Sequence, residues 1–294
     1  MSDYNGLVEK FEAHRNHLQA VAYRMLGSIN ESEDALQESW IRISSSDTSR
    51  VENMGGWLTT VVSRVCLDML RARKSRREEL SIVNVPEPIT NQQVGSDPEH
   101  EALLADSVGL AMLVVLDNLN PAERIAFVLH DIFALSFAEI APIIGRNEVT
   151  SRQLASRARR RVQGTETTKD SPEFIQKAEL VDAFLAASRT GDFEKLIHVL
   201  DPNVVLRNDT AFAPVSHIPF VHGSQAVAKQ FAGRAQGARQ MLVNGSVGIV
   251  VAPLGRLLFI LELKVEDGKI TEIDMIADPQ RIRRLDLAVL DNRS

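Results

Sequence analysis

At 294 residues and 44% apolar, the chain is long enough for two or three ordinary domains and too apolar to be disordered. Its single cysteine, Cys66, excludes an internal disulfide, no set of Cys and His has zinc-ligand spacing, and no apolar run reaches the roughly 18 residues of a membrane span, so a cytoplasmic protein without metal or other cofactor is expected. The net charge of −6 argues by itself against a polyanionic partner, because such affinity requires clustered Lys and Arg that displace counterions.

In chain order, the first 14 residues are polar and acidic and do not read as a signal peptide. Leu7, Phe11, Leu18, Val21, Ala22, Met25 and Leu26 then recur at the spacing of a buried helical stripe. Asn30 is expected to cap a second helix, with Glu33 completing a capping box and Asp34 in the first turn. A polar stretch over 44–53 leads to Gly55 and Gly56, and a third helix is expected from near Trp57. On that helix Leu58, Val61, Val62, Val65 and Met69 form an inner stripe, whereas Thr60, Ser63, Arg64, Arg71 and Lys74 face outward and run into Arg76 and Arg77. Hydroxyls mixed with arginines suit a DNA edge or backbone, and equally suit a solvated surface. Residues 81–100, with Pro86, Pro88 and Pro98 among Asn, Gln and Gly, read as an extended linker.

A second helical block spans 101–163 and breaks at Asn120, where Pro121 opens the next helix. Within it, LSFAEIAPIIGRNEVTSRQLASRARRR, from Leu135 to Arg161, has the form of a helix-turn-helix. Phe137, Ile140 and Ala141 supply the inner face of its first helix, Gly145 permits the turn and Asn147 caps the second helix. Ser151, Leu154, Ala155, Ala158 and Val162 share an inward face. Opposite lie residues that assign themselves to DNA: Arg152, Gln153 and Ser156 to base edges, and Arg157, Arg159 and Arg160 to phosphates. Two basic stripes on an acidic chain thus override its net charge.

Residues 164–172 form a second polar linker. Beyond it, helical spacing from Phe174 to Leu200 and from Ser224 to Ala235 alternates with β-type runs at Val204 to Arg207, Met241 to Val251, Leu257 to Val265 and Ile270 to Ile276, with a turn at Asp267 and Gly268. The fold expected is therefore multidomain: two all-α domains, over 5–80 and 101–163, followed by an α+β domain over 172–290.

The two helical blocks resemble the extracytoplasmic-function RNA polymerase sigma factors. EDALQESWIR, from Glu33 to Arg42, is similar to that family's helix for the clamp of core polymerase, and the resemblance implies that Asp34, Gln37 and Glu38 face core enzyme. GGWLTTVVSRVCLDMLRARKSRR resembles the reader of the minus-ten element, with Trp57, Asp68 and Arg71 in matching positions and Arg64 where the family most often has Asn. The helix-turn-helix matches the minus-thirty-five reader, with Glu139, Ile140, Ala141, Gly145, Arg157 and Ala158 in register. Core RNA polymerase and promoter DNA are the partners so implied, with no membrane.

The remainder resembles the group whose members carry a cone-shaped, SnoaL-like α+β domain. Thr190 to Asp209, His222 with Gly223, Asn244 with Gly245, and Asp267 with Gly268 carry that likeness. The group's inter-domain motif corresponds to Pro86, Glu87 and Pro88, and its tail motif to the segment around Asp278 and Pro279. Regulation in cis is what the resemblance implies. Three alternatives stay open: a ligand-responsive repressor, a DNA-binding protein with an enzymatic third domain using Asp209 or Asp274 with His217 or His222, and a small-molecule ligand bound without chemistry in the third domain. Both tyrosines and both tryptophans lie in the first domain, so an isomerase-type phenol donor is missing from the third.

Overall fold

The computed structural model describes residues 2–48, 51–80, 109–164, 171–209, 220–235, 237–253 and 257–290. They fall into two compact units, one drawn from Met1–Val108 and Leu119–Arg159, the other from Gly109–Asn118 and Arg160–Ser294. Pro86, Glu87, Pro88 and His217 lie outside the described residues.

In the first unit, α1 (Ser2–Leu26), α2 (Ile29–Ser44) and α3 (Met54–Leu80) pack against one another around the buried Leu18, Val21, Met25, Leu36, Ile43, Leu58 and Val62. The start of α2 corrects the sequence expectation. Gly27 ends α1 at φ 79°, Ser28 turns extended, and its hydroxyl accepts the Glu31 N–H at 3.4 Å, so the cap is Ser28 and not Asn30. Gly27 is required twice over, since a Cβ there would also stand 3.2 Å from the guanidinium of the buried Arg124. The third helix likewise begins earlier than Trp57. Asn53 Oδ1 accepts the Gly56 N–H at 3.0 Å, and the absent Cβ of Gly55 leaves room for the His14 ring.

Two further helices of this unit, α5 (Pro121–Phe127) and α6 (Phe137–Ile144), pack against α3 from another side, with a π-helical turn at Val128–Ile132 between them. That second covering explains why Ser63, expected to face outward, is fully buried along with Cys66 and Leu67. Burial also pushes the Cys66 thiol well above its ordinary pKa. The break at Asn120 is as expected: Pro121 takes the first helical position, and the Glu123 carboxylate accepts the Asn120 N–H at 3.4 Å.

The second unit has the expected α+β character. A sheet of order β2-β1-β6-β5-β4-β3-β7 is antiparallel except where β1 (Leu200–Arg207) runs beside β6 (Lys269–Ile276). The other strands are β2 (Phe220–His222), β3 (Ala238–Val243), β4 (Ser246–Val251), β5 (Phe259–Glu266) and β7 (Leu287–Ala288). Helices α8 (Pro172–Thr190), α9 (Phe193–Val199) and α10 (Ser224–Phe231) share a core with it through Val181, Phe184, Leu196, Val227, Ile249 and Leu261. The helical run expected from Phe174 to Leu200 is two helices, split by Gly191 at φ 73° and by Asp192, which caps α9. The β-type run from Met241 to Val251 is the β3–β4 hairpin, because Asn244 and Gly245 both take positive φ, as Asp267 and Gly268 do between β5 and β6.

Helix α4 (Gly109–Asp117) belongs to this second unit and lies against β3 and β7. Leu113, Val114, Val115 and Leu116 are all at most 2% exposed, the pattern of a helix covered on every side. The end of α7 (Glu148–Gln163) also enters this unit: the Val289 N–H donates to the Val162 carbonyl at 2.9 Å.

Candidate nucleic-acid interface

Helix α6 is fixed at both ends. Ser136 caps it, its N–H donating to Glu139 at 2.9 Å, and Gly145 closes it at φ 68°. The hydrogen bonds from Ser136 hold the Glu139 carboxyl below the ordinary carboxylate pKa. Asn147 Oδ1 then accepts the Thr150 N–H at 2.8 Å and opens α7, as the spacing predicts.

Along α7 the division expected from the sequence is observed. Ser151, Ala155, Ala158 and Val162 are buried and Leu154 is half-buried, whereas Arg152, Gln153, Arg157 and Arg160 are exposed and Ser156 is half-buried. Two details were not legible in the sequence. The Arg152 guanidinium lies over the Phe137 ring, 5.3 Å from its centroid, and Phe137 in turn stacks on His130 at 4.0 Å. Phe137 is thus only half-buried and serves as a platform for the first outward arginine of α7. Arg159, by contrast, is tied to Asp131 at 2.6 Å and is already engaged within its own unit.

On α3, Arg64, Arg71, Lys74 and Arg76 are exposed, while Thr60 turns its hydroxyl back onto the Gly56 carbonyl at 2.9 Å. Arg64 donates to the Pro142 carbonyl of α6 at 3.3 Å. The side chain of Arg77 lies outside the described residues. On α2, Asp34, Gln37 and Glu38 form an exposed strip, and Glu38 pairs with Arg42 at 3.1 Å. The strip includes Ile41, 63% exposed, which sequence reasoning missed, although its place one turn beyond Gln37 and Glu38 is the signal that marks it.

In the second unit, Asp209 accepts the N–H groups of Ala277 and Asp278 at 3.1 and 3.2 Å and pairs with Arg281. It anchors the tail. Asp278 caps the short helix α11 (Pro279–Ile282), its Oδ1 accepting the Gln280 N–H at 2.7 Å. Asp274 pairs with Arg207 at 3.1 Å, so neither carboxylate offered as a base stands uncommitted, and His222 is exposed. Among the described residues no cluster of His, Cys, Asp or Glu could hold a metal ion, and no helix is long and apolar enough to cross a membrane.

The family model of Sigma-70 region 2 matches residues 11–76, and that of Sigma-70 region 4 matches residues 110–162. The chain is 37% identical over 289 residues to the ECF RNA polymerase sigma factor SigJ of Mycobacterium tuberculosis, covering 93% of this chain and 92% of that one. It is 34% identical over 292 residues to the probable ECF RNA polymerase sigma factor SigI of the same species, covering 96% and 97%. Among solved structures, the crystal structure of M. tuberculosis SigJ aligns over 94% of this chain and 98% of that one at 32% identity, with a TM-score of 0.44.

Proposed function

The chain belongs to the extracytoplasmic-function RNA polymerase sigma factors, and from that membership we propose how its surfaces divide the work of binding core RNA polymerase and directing promoter-specific initiation. Asp34, Gln37 and Glu38 on α2 meet core enzyme. Thr60, Arg64, Arg71, Lys74, Arg76 and Arg77 meet the minus-ten element, Arg152, Gln153 and Ser156 read bases of the minus-thirty-five element, and Arg157 and Arg160 hold its phosphates. The working segments are a core-binding and minus-ten domain at 5–80, a linker at 81–100, a helix-turn-helix domain at 101–163 and a regulatory domain at 172–290. The compartment that goes with this role is the cytoplasm, and the third domain acts by contact, not by catalysis.

One observation carries this reading over that of a repressor: the exposed acidic strip of α2, with Ile41 uncovered beside it, lies on a helix whose other face is locked into the bundle. A repressor that reads a palindrome as a dimer has no need of such a strip. The test is retention of core polymerase by the purified chain, followed by transcription in vitro from a two-element promoter. Failure to associate, even after residues 172–294 are removed, would overturn the sigma reading.

Control in cis is the role proposed for the α+β domain, and it is supported by the second unit, in which that domain holds α4 and the end of α7, segments that overlap the region-4 match. A tethered domain makes such contacts at an effective concentration that reaches about millimolar. Pro86, Glu87 and Pro88 are the proposed docking strip in the linker, and Asp278 and Pro279 belong to the tail that steadies the domain.

A further inference from the structure

Val149, the second residue of α7, is 64% exposed, more than any other large apolar side chain among the described residues. The cap from Asn147 fixes it in the first turn of the helix. Every other exposed residue of α7 is polar or charged. At about 100° of turn per residue, Val149 stands within about 60° of Arg152, Gln153, Ser156 and Arg160, and opposite the buried Ala158. A single exposed apolar side chain needs no explanation on an ordinary surface. This one occupies the middle of the arc assigned above to DNA, at the end of the helix whose residues meet base edges. A β-branched residue is also a weak helix former, and at this exposure packing adds little, so neither propensity nor burial accounts for a valine here.

We propose that Val149 is a specificity-determining residue that packs on the 5-methyl group of a thymine in the minus-thirty-five element, an inference that rests on the assignment of α7 to that element. Thymine is the base that shows a methyl group in the major groove, and an apolar side chain is what distinguishes it there. The guanidinium of Arg152 and the amide of Gln153 suit the hydrogen-bonding edges of guanine and adenine, so Val149 supplies the contact that they cannot. The occupant is DNA and not a protein because the valine lies among Arg152, Arg157 and Arg160, cations that draw this face to a polyanion. Burying one methyl group against Val149 corresponds to discrimination of about fourfold.

The experiment selects the preferred duplex from a random pool with the full-length chain, then replaces each thymine of that duplex in turn by deoxyuridine, which lacks only the methyl group. Wild type is expected to lose about fourfold in affinity at one thymine. Val149→Ser is expected to bind the thymine and deoxyuridine forms of that position equally, because the apolar partner of the methyl group is gone. Ile175→Ser, which removes an exposed apolar side chain of the other unit, is expected to keep the wild-type ratio. Absence of any thymine at which deoxyuridine weakens wild type overturns the proposal. So does a Val149→Ser variant that keeps the wild-type ratio, whether it weakens all duplexes alike, as a sugar–phosphate contact would, or weakens only core polymerase binding, as a protein contact would. Arg152→Ala separates the two readings: if it shifts base preference while Val149→Ser keeps the thymine ratio, α7 reads the element and only the role of Val149 falls. If the chain selects no preferred duplex, alone or with core polymerase, both fall.

Discussion

Replacing Arg152 by alanine isolates base reading from folding. In the free protein this side chain is exposed and spans from the first turns of α7 to the Phe137 ring, 5.3 Å from its centroid. A cation–π contact at an exposed site stabilises by about 0.5–1 kcal/mol, and alanine returns a few tenths through its helix propensity, so the fold should lose under about 1 kcal/mol. A bidentate contact to a base edge discriminates by about 1–3 kcal/mol, or roughly 5- to 150-fold. The variant should therefore keep its urea midpoint nearly unchanged while losing preference at one or two positions of the minus-thirty-five element. Fluorescence anisotropy with duplexes substituted at each position, all at one salt concentration, measures this directly. Arg160→Ala serves as the contrast: it should weaken every duplex alike and lower the slope of log affinity against log salt by about one. Identical preferences in the wild type and Arg152→Ala would refute the assignment of Arg152 to a base. Phe137→Leu, which removes the platform and keeps the arginine, should fall between the two.

Charge reversal at Asp34 and Glu38 should reduce affinity for core polymerase at least roughly tenfold in a binding titration, while chemical stability moves by under about 1 kcal/mol because these groups are solvated and the Glu38–Arg42 pair is exposed. Ser136→Ala should cost about 1 kcal/mol of stability at neutral pH. Because the Glu139 carboxyl is held below its ordinary value, its share of the cap is present above the usual carboxylate range and lost as pH falls through the lowered value, so urea midpoints of wild type and variant should converge in acid. Removal of the tail from Asp278 onward should loosen the α+β domain and raise transcription in vitro, and removal of residues 172–294 should lower it; equal activity from full-length, trimmed and domain-deleted proteins would exclude control in cis.

Much of this was legible in the residues. The turn at Gly145, the cap at Asn147 and the buried face of α7 follow from local rules that need no tertiary knowledge, and the structure agrees with each. Where the reading failed, the cause was tertiary or a competing local signal. Ser63 looked outward because α3 was read against one neighbour, and a second covering buried it. Asn30 and Glu33 have the spacing of a capping box, but the Ser28 hydroxyl accepts the Glu31 N–H two residues earlier, just after Gly27 has ended α1 at positive φ. The Arg152, Phe137 and His130 stack joins three elements, and the Arg64 contact to the Pro142 carbonyl joins residues 78 apart in the chain, a distance that no periodicity reports.

The position of α4 bears on how the protein is made. This helix leaves the ribosome with Leu113, Val114, Val115 and Leu116 ready for burial, yet the strands it lies against, β3 and β7, end about 120 to 170 residues later. At a synthesis rate of about 5–20 residues per second, the nascent chain carries that apolar helix without its final cover for roughly ten to thirty seconds. During that interval another hydrophobic surface must shield it, either a temporary nascent-chain contact or a chaperone. A chain stalled before residue 238 should consequently be retained by chaperones and aggregate on release, whereas one completed through residue 290 should not.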